Sequence, residues 1–99
     1  MIVVITAEAE SDLEQIATYI ARQSIEVALG FVQELREKCE SLADAPRGYP
    51  LVPRYEHLGI RRRPFGNHLI FYRVGSAAIE VVHILHGARD YERLLFPEK

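Results

Sequence analysis

The hydrophobic positions of this chain change period several times, and each change marks an element. Ile2-Val3-Val4-Ile5 is a β-branched run that stops at Thr6 and predicts a short strand. Beyond it the apolar positions adopt helical spacing. Ala9, Leu13, Ile16, Ala17 and Ile20 share one face and predict a helix over about residues 7 to 22. Thr6 is its N-cap, and Glu8, Glu10 and Asp12 put negative charge at the positive end of the helix dipole. Ser24 caps a second, longer helix whose apolar stripe is Ala28, Phe31, Val32, Leu35, Cys39 and Leu42, with Glu34 and Lys38 paired on its outer face. The link between the helices is short, so they form an antiparallel hairpin.

From Asp44 to Pro53 three prolines remove backbone donors and end the helical pattern, which makes this stretch a connecting loop. Ile60–Phe65 and His68–Val74 then flank Gly66-Asn67, a two-residue signal for a tight hairpin. Gly75-Ser76-Ala77 turns the chain into a further strand, Ile79–His86, whose nearly continuous apolar centre places it inside the sheet. Arg89 to Phe96 gives a last helical turn or two before Pro97. The fold class is therefore α+β: an N-terminal strand, a helical hairpin packed on one face of a mainly antiparallel four-stranded sheet, and a short C-terminal helical turn. With no further element to cover it, the other face of the sheet is expected to be bare, and so polar or occupied by a partner.

Composition narrows this little. The 99 residues are 48% hydrophobic and 26% charged, ordinary for one globular domain spanning 1–99. No run approaches the ~18 apolar residues of a membrane span. The opening MIVVITAEAE lacks the basic start and long apolar core of a secretion signal. A single cysteine, Cys39, allows no internal disulfide and fits a cytoplasmic setting; its place on an apolar stripe makes it a small core residue. The net charge of −2 conceals a split. Residues 1–50 carry nine acidic and four basic side chains, whereas residues 51–99 carry five acidic and eight basic. The C-terminal half favours an acidic ligand, but the surplus is too small for autonomous DNA binding.

Four histidines, His57, His68, His83 and His86, raise a metal site, yet an odd separation on one strand sends His83 and His86 to opposite faces, and no second cysteine or HExxH motif is present. Neither a metal nor a cofactor is expected. No serine lies in a nucleophile elbow or glycine-rich phosphate loop. His86, Arg89 and Asp90, in HGARDYE, support two readings: a proton-transfer and anion site, or a structural set in which Asp90 caps the last turn, Arg89 makes an ion pair and His86 meets a backbone carbonyl. Arg61, Arg62, Arg63 and Arg73 also support two. Alternation through a two-residue turn puts Arg62 opposite Phe71 and Arg61 opposite Tyr72, so Arg62 and Arg73 share one face and Arg61 and Arg63 the other, unless a bulge near Pro64 inverts them. They either receive an anionic partner or protect a solvated edge strand by charge.

Taken in order, the chain resembles the ParE branch of the RelE/ParE toxin family of type II toxin–antitoxin systems. The matching pieces are Thr6-Ala7-Glu8-Ala9 with Asp12-Leu13, Ile16 and Tyr19-Ile20; Ala28 with Phe31; Leu42-Ala43 with Pro46; Gly59-Ile60-Arg61; Leu69 to Val74; and Ile84 to Asp90. The resemblance implies a cognate antitoxin, ParD-like, with a ribbon-helix-helix domain and a C-terminal segment that wraps the toxin as a hetero-oligomer. It also implies DNA gyrase as the target. Arg61, Arg62, Arg63, Arg73, His86, Arg89 and Asp90 are then antitoxin- or target-binding residues. A related branch cleaves messenger RNA in the ribosome, and Arg62 and Arg89 stand where those enzymes are basic. Leu69 stands where they place an arginine and Leu95 near where they place a catalytic tyrosine, and leucine neither stabilises a phosphate transition state nor moves a proton. The alternative is such an endonuclease using His86, Arg89 and Arg62. A third possibility is a toxin fold whose remaining role is to bind its antitoxin.

Overall fold

The computed structural model describes residues 1–97. It contains β1 (Ile2–Ile5), α1 (Ala7–Ala21), α2 (Ile25–Glu40), 3-10 turns at Ser41–Asp44 and Glu56–Leu58, β2 (Ile60–Phe65), β3 (His68–Val74), β4 (Ala78–His86) and α3 (Tyr91–Leu95). Both expected caps form: the Thr6 hydroxyl accepts from Ala9 N–H and the Ser24 hydroxyl from Val27 N–H, each at 3.2 Å. The second helix stops at Glu40 rather than running through Leu42, which stays buried because the 3-10 turn carries it back over the sheet.

The sheet order is β1-β4-β3-β2. β4 is interior, as its apolar run predicts, and pairs antiparallel with β3 and parallel with β1, so the sheet is mixed. β1 reaches along β4 only from Ala78 to Val81. Past that point α1 takes over: the Thr6 hydroxyl donates to Val81 C=O at 2.8 Å, and the Asp12 carboxylate accepts from Ile84 N–H at 2.9 Å. A register shift falls here as well. Phe71 faces His83 while Tyr72 faces Val81, leaving Val82 as the extra residue of a bulge. The shift lets Val81 and Ile84 both enter the core beneath the helices, while Val82 and Leu85 pack on the other side.

Beneath the hairpin Ala9, Leu13, Leu35, Cys39 and Leu42 close over Ile70, Tyr72, Ile79, Val81 and Ile84. The Tyr72 hydroxyl, buried with them, donates to Pro46 C=O at 2.8 Å and ties the proline-rich loop down.

The second face corrects the sequence-based expectation. Over β2, β3 and the end of β4 it is covered by the chain itself: Val52, Ile60, Phe71, Leu85 and Phe96 form a second buried cluster, with Tyr55 stacked on Phe96 at 3.9 Å and Tyr91 at 4.9 Å from Phe71. The stretch read as a bare connecting loop and the short C-terminal turn bring the apolar side chains that do this. The face is open around the Arg73–Glu80 pair and beside β1. There Val3 and Ile5 pack inward, so alternation turns Ile2 and Val4 to the other side, where they are 67% and 41% exposed.

Because Phe71 is fully enclosed in this second cluster, Phe71→Ala should cost about 3–5 kcal/mol in urea unfolding, whereas Leu94→Ala on the exposed side of α3 should stay within about 0.5 kcal/mol.

Candidate functional site: the arginine strand and the α1–β4 cleft

The arginine-bearing strand has the register that alternation predicts. Arg61 faces Tyr72, Arg62 faces Phe71 and Pro64 faces Leu69, with no bulge at the proline. Each guanidinium, however, is already engaged by its own chain. Arg63 donates to Lys38 C=O at 2.8 Å and to Ser41 Oγ at 2.6 Å, and lies 5.0 Å from the Tyr49 ring centre. It shares with the Ser41 hydroxyl, which donates at 2.9 Å, a carbonyl in the last turn of α2, at the negative pole of that helix. Arg61 donates to Tyr49 C=O at 2.7 Å. On the opposite face Arg62 donates to the Tyr91 hydroxyl at 2.8 Å, and Arg73 pairs with the cross-strand Glu80 at 2.8 Å. Two backbone carbonyls, a serine and a tyrosine hydroxyl and one carboxylate thus take donors from these four guanidinium groups, and each planar fork keeps further donors.

The HGARDYE segment also differs from its structural reading. His86 Nδ1 accepts the Ala88 N–H at 3.1 Å rather than giving a proton to a carbonyl. Asp90 occupies the N-cap position of α3 without a capping hydrogen bond and lies 3.7 Å from Arg93. The Arg89 guanidinium has no side-chain hydrogen bond or ion pair among the described residues.

His86 and Arg89 line a cleft of about 370 Å³ between α1 and the ends of β3 and β4, together with Asp12, Ile16, Tyr19, Ile20 and His68. His68, which the sequence presents only as one of four scattered histidines, is part of this lining. Its ring packs edge-on against His86 and tilted against Phe31 of α2, each at 5.4 Å, and its Nδ1 is buried without a partner. Burial, reinforced by the neighbouring His86, holds its pKa below the usual imidazole value. His83 turns elsewhere, donating from Nδ1 to Asp12 Oδ2 at 2.7 Å. As a charge in the early turns of α1, Asp12 is expected to match the helix dipole, yet it is buried. Its spacing of three from Ala9 and four from Ile16 places it on the apolar stripe, and that misplaced charge was the available signal.

The same geometry bears on catalysis. The His86 ring lies against His68 on the helix side of the sheet, whereas Arg62 lies with Tyr91 and Phe71 on the other, so His86, Arg89 and Arg62 do not converge on one substrate. Cys39 is buried and its thiol is pushed up to about 11 by desolvation, far from the reactive thiolate a nucleophile requires.

The helical hairpin also leaves apolar side chains in solvent: Tyr19 at the cleft and Ile25, Val27 and Leu29 beyond it are 59–71% exposed, and Tyr19 borders two further depressions beside the cleft. No helix among the described residues is long and apolar enough to cross a membrane.

Residues 3–91 match the family model described as the ParE toxin of the type II toxin–antitoxin system parDE. The chain belongs to the ParE toxin family. The toxin ParE1 of Caulobacter vibrioides is 34% identical over 87 residues, covering 87% of this chain and 88% of that protein. The toxin ParE1 of Mycobacterium tuberculosis H37Rv is 33% identical over 90 residues, covering 88% and 90%. Among solved structures, a chain from a chromosomal ParDE toxin–antitoxin system of P. aeruginosa superposes with a TM-score of 0.72 at 25% identity, covering 87% of this chain and 95% of that one. The ParE fold of strand, helical hairpin and mixed sheet is thus shared, and it does not depend on a bare second face.

One consequence concerns pH. The native His68 ring resists a proton that the unfolded chain takes up near the ordinary value of 6.5, so its contribution to stability is fully present above that pH and is lost as pH falls below it. Urea midpoints should therefore drop between about pH 7.5 and about pH 5, and His68→Phe should flatten that slope.

Proposed function

We propose that this ParE-family protein acts in the cytoplasm as a toxin against DNA gyrase and is held inactive by a ParD-like antitoxin with a ribbon-helix-helix domain. Family membership supports the toxin role. The observation carrying the antitoxin reading is the apolar surface left on the hairpin. Tyr19 and Val27 border one depression beside the cleft lined by Ile16 and Ile20, and Ile25 and Leu29 add an exposed apolar pair one helical turn apart on α2; exposed large apolar side chains gathered on one helical hairpin are what a protein partner would cover. A disordered antitoxin segment ordering along it gives up a few kcal/mol of chain entropy, which burial of these side chains offsets. Arg89 lines the cleft and adds a polar contact there, with Asp90 next to it in the chain, while Arg61, Arg62, Arg63 and Arg73 contribute, on the two faces of the sheet, the donors their internal contacts leave over.

Gyrase as target follows the branch of the family. The endonuclease alternative is disfavoured by the separation of Arg62 from His86 across the sheet. Purified protein added to a supercoiling reaction should stop supercoiling and accumulate cleaved DNA, and prior addition of the antitoxin should prevent both. Unimpaired supercoiling at excess protein would refute the target, and cuts in messenger RNA in a translating extract that vanish in His86→Ala would install the alternative.

A further inference from the structure

The α1–β4 cleft holds one cationic donor, Arg89, and two imidazoles, His68 and His86, beside the amides of Gln15 and Asn67. Because His86 Nδ1 accepts the Ala88 N–H, the neutral ring carries its proton on Nε2. His68 Nδ1 is buried and unpartnered, and an unpaired lone pair is tolerated in such a place better than an unpaired N–H, so this ring too is the Nε2–H tautomer. Arg89 adds a guanidinium with no protein partner among the described residues. The one carboxylate among the lining residues, Asp12, has Oδ2 taken by His83 and by the Ile84 N–H. Behind these donors the wall is aliphatic, formed by Ile16 and Ile20.

We propose that this cleft is a carboxylate-binding subsite. It seats one acidic side chain of the antitoxin segment against Arg89, His68 and His86, while an apolar neighbour of that side chain packs on Ile16 and Ile20. The inference rests on the antitoxin-binding reading above and adds the chemistry of one anchoring position. Charge selects the occupant: a single guanidinium flanked by two imidazole N–H donors matches one carboxylate, whereas a phosphate backbone calls for several cations. Arginine is suited to this because its planar fork meets both oxygens of a carboxylate at once.

The test is a double-mutant cycle by titration calorimetry between this protein and its full-length cognate ParD-like antitoxin. Arg89→Gln, Arg89→Lys and, as control, the exposed Arg47→Gln are each titrated with antitoxin in which one Asp or Glu at a time is changed to its amide. Arg89→Gln should weaken binding by about tenfold or more, as for a lost charged hydrogen bond, and Arg89→Lys should recover part of it. One acidic position of the antitoxin should matter in the wild type and in Arg47→Gln, and cease to matter in Arg89→Gln. Unchanged affinity of Arg89→Gln, or acidic substitutions with the same effect in every background, would overturn the subsite alone. A wild-type protein that does not bind the antitoxin would overturn the antitoxin reading and the subsite with it. An RNA oligonucleotide that displaces antitoxin from the wild type but not from Arg89→Gln would reassign the cleft to phosphate.

Discussion

The buried carboxylate of Asp12 is the contact around which the functional surface is organised. β1 is too short to pair with the whole of β4, and beyond Val81 an interior strand would be left with unsatisfied backbone groups along one side. α1 supplies the missing partners, Thr6 to the Val81 carbonyl and Asp12 to the Ile84 amide, while Asp12 also holds the His83 ring. Removing one member of such a set leaves the others buried and unpaired, which costs more than the set contributes as a whole. The angle at which α1 leaves the sheet follows from these bonds, and the cleft is the space that angle leaves against the ends of β3 and β4.

The elements themselves were legible because each is announced by local chemistry: hydroxyl caps at Thr6 and Ser24, Gly66-Asn67 at the hairpin turn, and an uninterrupted apolar run for the central strand. The register of the arginines followed from the same turn. What the residues could not announce was where segments without periodicity would settle. Val52, Tyr55 and Phe96 lie in irregular or very short elements, so no period revealed that they seal the second face. Nor did alternation reveal the bulge at Val82, since it is a property of pairing with β3 rather than of β4 alone. His68 escaped for a related reason: its neighbours, Phe31 and His86, come from distant parts of the chain, and only tertiary packing gives the ring its environment.

The arginines illustrate how one residue type serves both scaffold and surface. Arg61 and Arg63 each give donors to carbonyls where α2 ends and the proline-rich loop begins, at the negative pole of the helix and beside prolines that bring no backbone donor. A planar cation with five donors is suited to that task. Arg89, in contrast, follows the last strand after a short turn, and its guanidinium has no partner among the described residues. Guanidinium density along a strand is therefore a poor measure of how much of it is offered outward.

Cys39, the molecule's single sulfhydryl, sits wholly out of contact with water between the hairpin and the sheet, and its high pKa keeps it protonated. Alkylating or oxidising reagents can reach it only when α2 lifts away. Its rate of modification is thus a built-in clock for opening of the fold, and cross-linked pairs of molecules arise from chains that have come apart rather than from intact ones.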